Sequence, residues 1–357
     1  MTSPNTPFLN RPAGVRAASN EVLQSFIDTA REAVFVVDEA MRITASNAAA
    51  FHTFSRGKGP LDDRRLSEVI RDAGLHLAFR TCIERQEAAD LKLEIGALER
   101  QIYDIHIAPF DMNGRRHAIG FFYDVTQVER LEKVRQEFLS NISHELRTPL
   151  TSIMAFVETL EDGALEDDEN NRRFLTVIRR NAERMHSLIA DILELSLIES
   201  GNVSIDKERI GLARLIEEIF DSLSAKAAER EIVLSHTVPP DSRVFADRGR
   251  LEQMLINLID NAIKFNRTAG SVEVSLKENE QRAVISVSDT GEGIITEHLG
   301  RIFERFYRLD RGRTREVGGT GLGLAIVKHL ARLHGGEVTA ESELGRGTVF
   351  HLELPLS

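Results

Sequence analysis

A single cysteine, Cys82, stands among the 357 residues. That excludes an intrachain disulfide framework and any metal site built on several thiolates, and it suits a reducing compartment. Cys82 itself reads as a small buried apolar side chain. No apolar run approaches the roughly 18–20 residues of a membrane span. Residues 1–19 are polar, carry Pro4, Pro7 and Pro12, and lack the apolar centre of a secretion signal. They read as a flexible tail, and the chain as cytoplasmic with no direct membrane span. Positive charge is in short supply too: Lys plus Arg is 45 against 56 for Asp plus Glu, a net −11. A phosphate backbone needs a basic face, so nucleic acid is not expected as the main partner. What remains, 28% charged and 42% apolar residues, is ordinary for globular protein, and the length calls for two or three domains.

Between residues 20 and 126 the pattern is short and mixed. Glu21–Ala30 looks helical, Ala33–Val37 is strand-like, a turn follows at Asp38–Met41, and a short strand is expected around Ile43. Gln101–Ala108 and His117–Val125 read as a hairpin turning at Asn113-Gly114. Over 127–202 the period changes to that of helices. Val128, Leu131, Val134, Phe138, Ile142, Leu146, Leu150, Ile153, Val157 and Leu160 form one stripe at steps of three and four. Phe174, Ile178, Met185, Leu188, Ile192, Leu195 and Ile198 form a second. The polar stretch at 161–171, with Gly163, joins them, and Gly201 ends the second helix. Two such helices cannot bury their stripes alone, and an antiparallel hairpin that dimerises into a four-helix bundle is the expected solution. Over 203–357 helices alternate with strands, which suggests a mixed sheet with helices on one face.

His144 lies two residues from both Ile142 and Leu146, and two helical steps turn by roughly 200°. It should therefore face solvent, opposite the stripe. An ordinary imidazole is about half neutral near pH 6.5, which leaves a ring nitrogen free as a nucleophile. Glu145 is positioned to accept a hydrogen bond from the other ring nitrogen, and Thr148 shares the face of Glu145. Pro149 removes a backbone donor and should loosen or kink the helix. A lone exposed histidine is usually no more than a solvated one; the context decides.

Four further clusters lie downstream. Asn257, Asn261 and Lys264 are spaced four and seven apart and share one helix face, away from Leu255, Leu258 and Ile259. An amide oxygen suits Mg²⁺ and an ammonium suits phosphate, although a solvated polar face has the same pattern. Asp289-Thr290-Gly291-Glu292-Gly293 follows a strand. A carboxylate there can accept from an exocyclic amine such as that of adenine, and the glycines let backbone approach a flat ring; alone, the run is equally a turn. Gly318 to Gly323, with Thr320 and Leu322 among the glycines, precedes an amphipathic helix whose first N–H groups favour phosphate. No Gly-Lys-Ser/Thr follows, so it is not a P-loop, and no clear strand leads into it as a dinucleotide fingerprint requires. Gly345-Arg346-Gly347-Thr348 reads as a tight turn. Between the second and third clusters, Phe303 and Phe306 look like anchors. Arg308, Arg311, Arg313 and Arg315 mark a basic stretch, read as a solvated loop or as a lid over phosphates.

Several of these segments resemble known families. AVFVVDEAMRITASNAAAFHTF and the ending FFYDVT resemble a PAS domain, in which Asn47 and the Asp124-Val125-Thr126 ending recur and the ending passes strain to a following helix. Such domains sense ligands, bind cofactors or dimerise; His52, His76 and His106 are conceivable haem ligands but read more simply as ordinary histidines. FLSNISHELRTPL resembles the phosphoacceptor box of the histidine kinases. NLIDNAIKF with the two glycine clusters resembles the ATP-binding domain shared by histidine kinases and gyrase-type ATPases.

The fold class implied is multidomain α+β. A PAS-like α+β domain (20–126) comes first, then an antiparallel helical hairpin forming a dimeric four-helix bundle (127–202), then a C-terminal α/β sandwich ATP-binding domain (203–357). The resemblance implies phosphorylation of His144 by ATP, Glu145 as base, and Thr148 helping to position water when a partner is dephosphorylated. It implies Mg²⁺ on Asn257, adenine on Asp289, and phosphates near Lys264 and the Gly319, Thr320, Gly321, Leu322, Gly323 loop. Asn261, Gly291, Gly293 and Arg308 complete the expected site. Phe265 stands where many relatives have tyrosine, with little effect expected. The implied partners are a second copy of the chain and the receiver domain of a response regulator. The rival readings are a net phosphatase, a scaffold whose nucleotide site has decayed, and a gyrase-type ATPase.

Overall fold

The computed structural model describes residues 21–55, 57, 59–96, 100–162, 168–201, 203–279, 281–309 and 319–356. Arg311, Arg313, Arg315 and Gly318, expected in a lid or at the head of the glycine loop, lie outside the described residues, as do the tail and Gly163. The chain divides into two compact units, one ending at Gln136 and the other beginning at Glu137.

The first unit contains a five-stranded antiparallel sheet in the order β2-β1-β5-β4-β3. Its strands are β1 (Ala33–Asp38), β2 (Ile43–Ser46), β3 (Ala89–Ile95), β4 (Gln101–Met112) and β5 (Arg115–Asp124). Helices α1 (Ala48–Phe54), α2 (Leu66–Val69) and α3 (Ala73–Arg85) fill the crossover from β2 to β3. The expected hairpin is β4–β5. Met112 pairs with Arg115, which leaves a two-residue loop, and Asn113 and Gly114 take the positive φ values (53° and 75°) of the turn that matches strand twist.

The core of this unit is aromatic: Phe35, Phe54, Tyr103 and Phe122 pack with ring centroids 5.1–6.4 Å apart. Asn47 is 2% exposed, and its whole amide is satisfied. The oxygen accepts from Val34 and Ala50 N–H at 3.0 Å, while the nitrogen donates to Ile27, Ala30 and Glu32 carbonyls. One side chain thus caps α1 and ties it to β1 and to the helical segment at 21–27. Cys82 is buried, and burial pushes its thiol up, away from the reactive thiolate. His52 is exposed, His76 bonds the Ile70 carbonyl and His106 bonds Asp90, so none of the three belongs to the core.

Helix α4 (Thr126–Glu161) starts directly after β5 and runs unbroken through Pro149, where loosening was expected. Helix α5 (Asp168–Glu199) follows. Their apolar residues split between two directions. Leu188, Leu195 and Ile198 sink into the core of the C-terminal body. Leu150, Met154 and Val157 on α4, with Leu175, Ile189, Leu193 and Leu197 on α5, remain exposed, Leu193 at 60%.

The C-terminal body is a two-layer sandwich. A sheet ordered β11-β12-β10-β9-β7 comprises β7 (Val233–His236), β9 (Ser271–Glu278), β10 (Arg282–Asp289), β11 (Glu337–Glu343) and β12 (Gly347–Pro355), and only the β7–β9 pair is parallel. Strands β6 (Glu208–Gly211) and β8 (Arg243–Ala246) form a separate ribbon. Alternation places Val272, Val274, Ile285, Val287, Leu352 and Leu354 in one buried layer. Helices α6 (Leu212–Ala228), α7 (Arg248–Lys264) and α9 (Gly323–Leu333) share that core, and α8 (Thr296–Leu299) is a single turn.

Candidate functional site

Helix α7 is capped by Asp247, whose side chain accepts from Arg250 N–H, and its core face includes Leu251, Leu255, Leu258 and Ile259. The opposite face presents Asn257, Asp260, Asn261 and Lys264 to a cavity of about 1260 Å³. Asp260 is the new member of this row. Its carboxylate takes Lys264 Nζ at 2.5 Å and Lys226 Nζ, from α6, at 2.9 Å. Burial alone would push the Asp260 carboxyl up, but the two ammoniums bring it below the usual carboxylate range.

Asp289 closes β10 at 9% exposure. Its Oδ1 accepts from Gly291 N–H at 2.8 Å and from Thr348 N–H at 3.2 Å, which leaves Oδ2 as the oxygen for a ligand. Burial pushes this carboxyl up, and the two N–H groups offset part of that. The glycines here are demanded by the protein's own backbone. A Cβ on Gly291 would lie 2.4 Å from the Phe265 carbonyl oxygen, and one on Gly293 (φ +73°) 2.2 Å from that of Glu343. Gly293 lines the cavity with Asp289; Gly291 stands behind it.

The glycine loop forms the facing wall. Gly319, Thr320, Gly321 and Gly323 line the cavity, whereas Leu322 is wholly buried and serves as a core anchor at the start of α9. Its N–H donates to Thr320 Oγ1 at 3.2 Å. Gly323 gives Asn257 room: a Cβ there would stand 3.0 Å from Asn257 Oδ1. Phe306 adopts φ +59°, uncommon for a bulky residue, and its N–H donates to the Gly321 carbonyl at 2.9 Å. Asn257, Asn261, Lys264, Asp289, Gly293, Arg308 and the loop are therefore brought together as the sequence predicts.

His144 is exposed on α4, as the stripe geometry requires, and lies outside the cavity lining. With Arg147, Thr148, Thr151, Ser152 and Ala155 it lines a shallow depression. Thr148 Oγ1 donates to the His144 carbonyl at 3.2 Å. Glu145 points elsewhere: its Oε2 accepts from Arg184 of α5 at 3.0 Å and lies 3.8 Å from Arg308 Nη1. The hydrogen bond expected between Glu145 and His144 is replaced here by these two guanidiniums. Helix α5 meets the C-terminal body twice more. Thr320 Oγ1 donates to Asp191 Oδ2 at 2.7 Å, and Arg250 pairs closely with Glu194. Phe138 of α4 stacks on Phe306 at 5.7 Å, with Arg305 over its ring.

Asp260 was legible in principle, three residues after Asn257 and four before Lys264. Arg184 and Asp191 carry no local signal, because their partners lie far off in the sequence.

A helical hairpin bearing an exposed histidine, followed by an α/β sandwich with a cation-rich cavity beside a glycine loop, defines the class of the phosphoacceptor signalling kinases. Family models agree in chain order. Residues 27–130 match the PAS fold, 134–201 the His Kinase A (phospho-acceptor) domain, and 246–357 the histidine kinase-, DNA gyrase B- and HSP90-like ATPase. The chain is 36% identical over 284 residues to the sensor histidine kinase WalK of Bacillus subtilis (strain 168), covering 78% of this chain and 46% of that protein. It is 39% identical over 241 residues to the sensor protein kinase WalK of Staphylococcus aureus, covering 66% and 57%. It thus spans about half the length of these curated relatives. Among solved structures, Acinetobacter baumannii histidine kinase AdeS matches with TM-score 0.51 and 26% identity over 60% of this chain and 98% of the other. Histidine kinase ThkA, solved in complex with response regulator protein TrrA, shares the fold with TM-score 0.52 and 24% identity over 93% and 98%. The chain belongs to the two-component sensor histidine kinases. Among the described residues, no helix is long and apolar enough to cross a membrane.

Proposed function

We propose that this chain is an ATP-dependent protein-histidine kinase that phosphorylates its own His144 and passes the phosphoryl group to an aspartate on the receiver domain of a response regulator. The observation that carries the reading is the pairing, in one chain, of the exposed His144 with the cavity whose open Asp289 oxygen faces the row of Asn257, Asn261 and Lys264. Asp289 Oδ2 suits the amine of adenine, and Lys264 the phosphate tail. A Mg²⁺ ion carried by the nucleotide would find one hard oxygen donor in Asn257, with phosphate and water oxygens for the rest, and would neutralise phosphate charge. A His144 ring nitrogen attacks the γ-phosphorus, a P–N bond forms, the bond from the γ-phosphorus to the β–γ bridging oxygen breaks, and ADP leaves. Glu145 accepts the proton of the other ring nitrogen once released from Arg184 and Arg308.

The exposed Leu150, Met154, Val157 and Leu193 support a homodimer through the hairpin. In this reading 20–126 senses, 127–202 carries phosphotransfer and dimerisation, and 203–357 binds nucleotide. Thr148 shares the shallow depression with His144, which supports a role in positioning water for the hydrolytic removal of phosphate from the regulator. A cytoplasmic setting fits the demand for ATP. The test is incubation of the full chain with γ-labelled ATP and Mg²⁺. Acid-labile, alkali-stable label that is absent from His144→Gln is expected; label persisting in that variant refutes His144 as acceptor.

A further inference from the structure

Two carboxylates lining the nucleotide cavity, Glu183 and Asp191, come from the hairpin and not from the C-terminal body. Asp191 of α5 lines the cavity and accepts the Thr320 hydroxyl through Oδ2 at 2.7 Å. Thr320 is the side chain of the glycine loop that a phosphate oxygen would otherwise engage. Burial pushes the Asp191 carboxyl up, while the Thr320 hydroxyl and the Lys264 ammonium pull it back. The two side-chain oxygens of Asp191 thus sit against the glycine loop, within the field of the cation expected to meet phosphate. One helical turn on, Glu194 pairs with Arg250 in the first turn of α7, which fixes the same face of α5 against the site.

We propose that Asp191 is a residue of the nucleotide site supplied by the hairpin, an internal stand-in for phosphate that holds the glycine loop until the phosphate tail of a nucleotide displaces it. This rests on the ATP reading above. Two like charges compete for one hydroxyl and one ammonium, so docking of α5 and binding of a phosphate tail oppose each other. Opening the Asp191–Thr320 contact frees α5 from the loop.

The experiment compares the full chain with Asp191→Asn, which keeps the shape and an acceptor oxygen but removes the charge. Calorimetry measures Mg²⁺ with a non-hydrolysable ATP analogue, and separately adenosine, which has no phosphate. The variant is expected to bind the triphosphate roughly tenfold tighter, near the lower end of usual coupling between sites, and adenosine as the wild type does. In a Thr320→Val background the gain should shrink. Unchanged or weaker triphosphate binding with adenosine intact overturns the proposal, as does equal tightening of both ligands. Failure of the wild type to bind either ligand instead overturns the ATP reading itself.

Discussion

Replacing Asp289 by asparagine separates the folding task of its carboxylate from the adenine contact proposed for it. Oδ1 satisfies the Gly291 and Thr348 N–H groups, and an amide oxygen can take over both. Folding should therefore lose only about 0.5–1.5 kcal/mol, the value of one ordinary hydrogen bond. Asp289→Ala leaves both N–H groups buried without an acceptor, at about 1–3 kcal/mol each, and should cost about 2–6 kcal/mol. On the ligand side the order of severity reverses. Asparagine turns the open Oδ2 into an NH₂ group, which sets donor against the donor of adenine. Loss of a charge-assisted hydrogen bond, about 1.5–3 kcal/mol, weakens adenine nucleotide binding roughly 10- to 150-fold. Thermal unfolding reads the first effect and calorimetry with an ATP analogue the second. An asparagine variant that unfolds like the alanine variant, or that binds adenine nucleotides as the wild type does, refutes this account of the site.

Two other expectations follow from close packing and burial. Gly347 has φ +110°, and a Cβ there would lie 2.0 Å from the Asp289 carbonyl oxygen, whereas Gly345 (φ +81°) has nothing within 4 Å. Gly347→Ala should cost about 3–5 kcal/mol and Gly345→Ala only about 1–2 kcal/mol, the backbone penalty alone, as measured by urea unfolding. His334 is fully buried: its Nδ1–H donates to the Leu330 carbonyl, and Nε2 accepts from Asp247 N–H at 3.1 Å. Burial lowers its pKa, so the unfolded chain takes up the proton first. The neutral ring's contribution to stability is complete at neutral pH. It is lost as pH falls below about 6.5, the unfolded value, and the loss stops growing once the folded ring titrates. Unfolding midpoints at pH 7.5 and 5.5 should differ, and the difference should narrow in His334→Gln; an equal difference in both proteins refutes the assignment.

Much of this was legible because the informative patterns are local. The Asn113-Gly114 turn, the helical stripes and the face shared by Asn257, Asn261 and Lys264 all follow from spacing along one element. So does the exposure of His144. Strands β3, β6, β7 and β8 and helices α1, α2, α3 and α8 were not singled out; β6, β7, β8, α2 and α8 have four residues each, too few for a period to register. Pro149 was expected to disturb α4, but the helix continues, with the ring buried among its neighbours. The hairpin stripe was expected to serve one interface, but part of it is spent on the C-terminal body. Periodicity reveals that Leu188 and Leu195 are buried, not what buries them. Glu145 went to Arg184 and Arg308 for a similar reason: adjacency in sequence names a candidate partner, while the fold offered two charged ones.

The passage from β5 into α4 takes one residue, Val125, and leaves no slack. Val125 N–H donates to the Ile102 carbonyl, Ile102 N–H to Thr126 Oγ1, and Thr126 N–H to Asp124 Oδ1, all at 2.9 Å. A joint pinned at three points behaves as a spline, not a swivel. These bonds tie the ends of β4 and β5 to the first helical turn. One residue inserted after Thr126 would index everything beyond it by roughly 100°, exchanging which face of the shaft carries the apolar stripe.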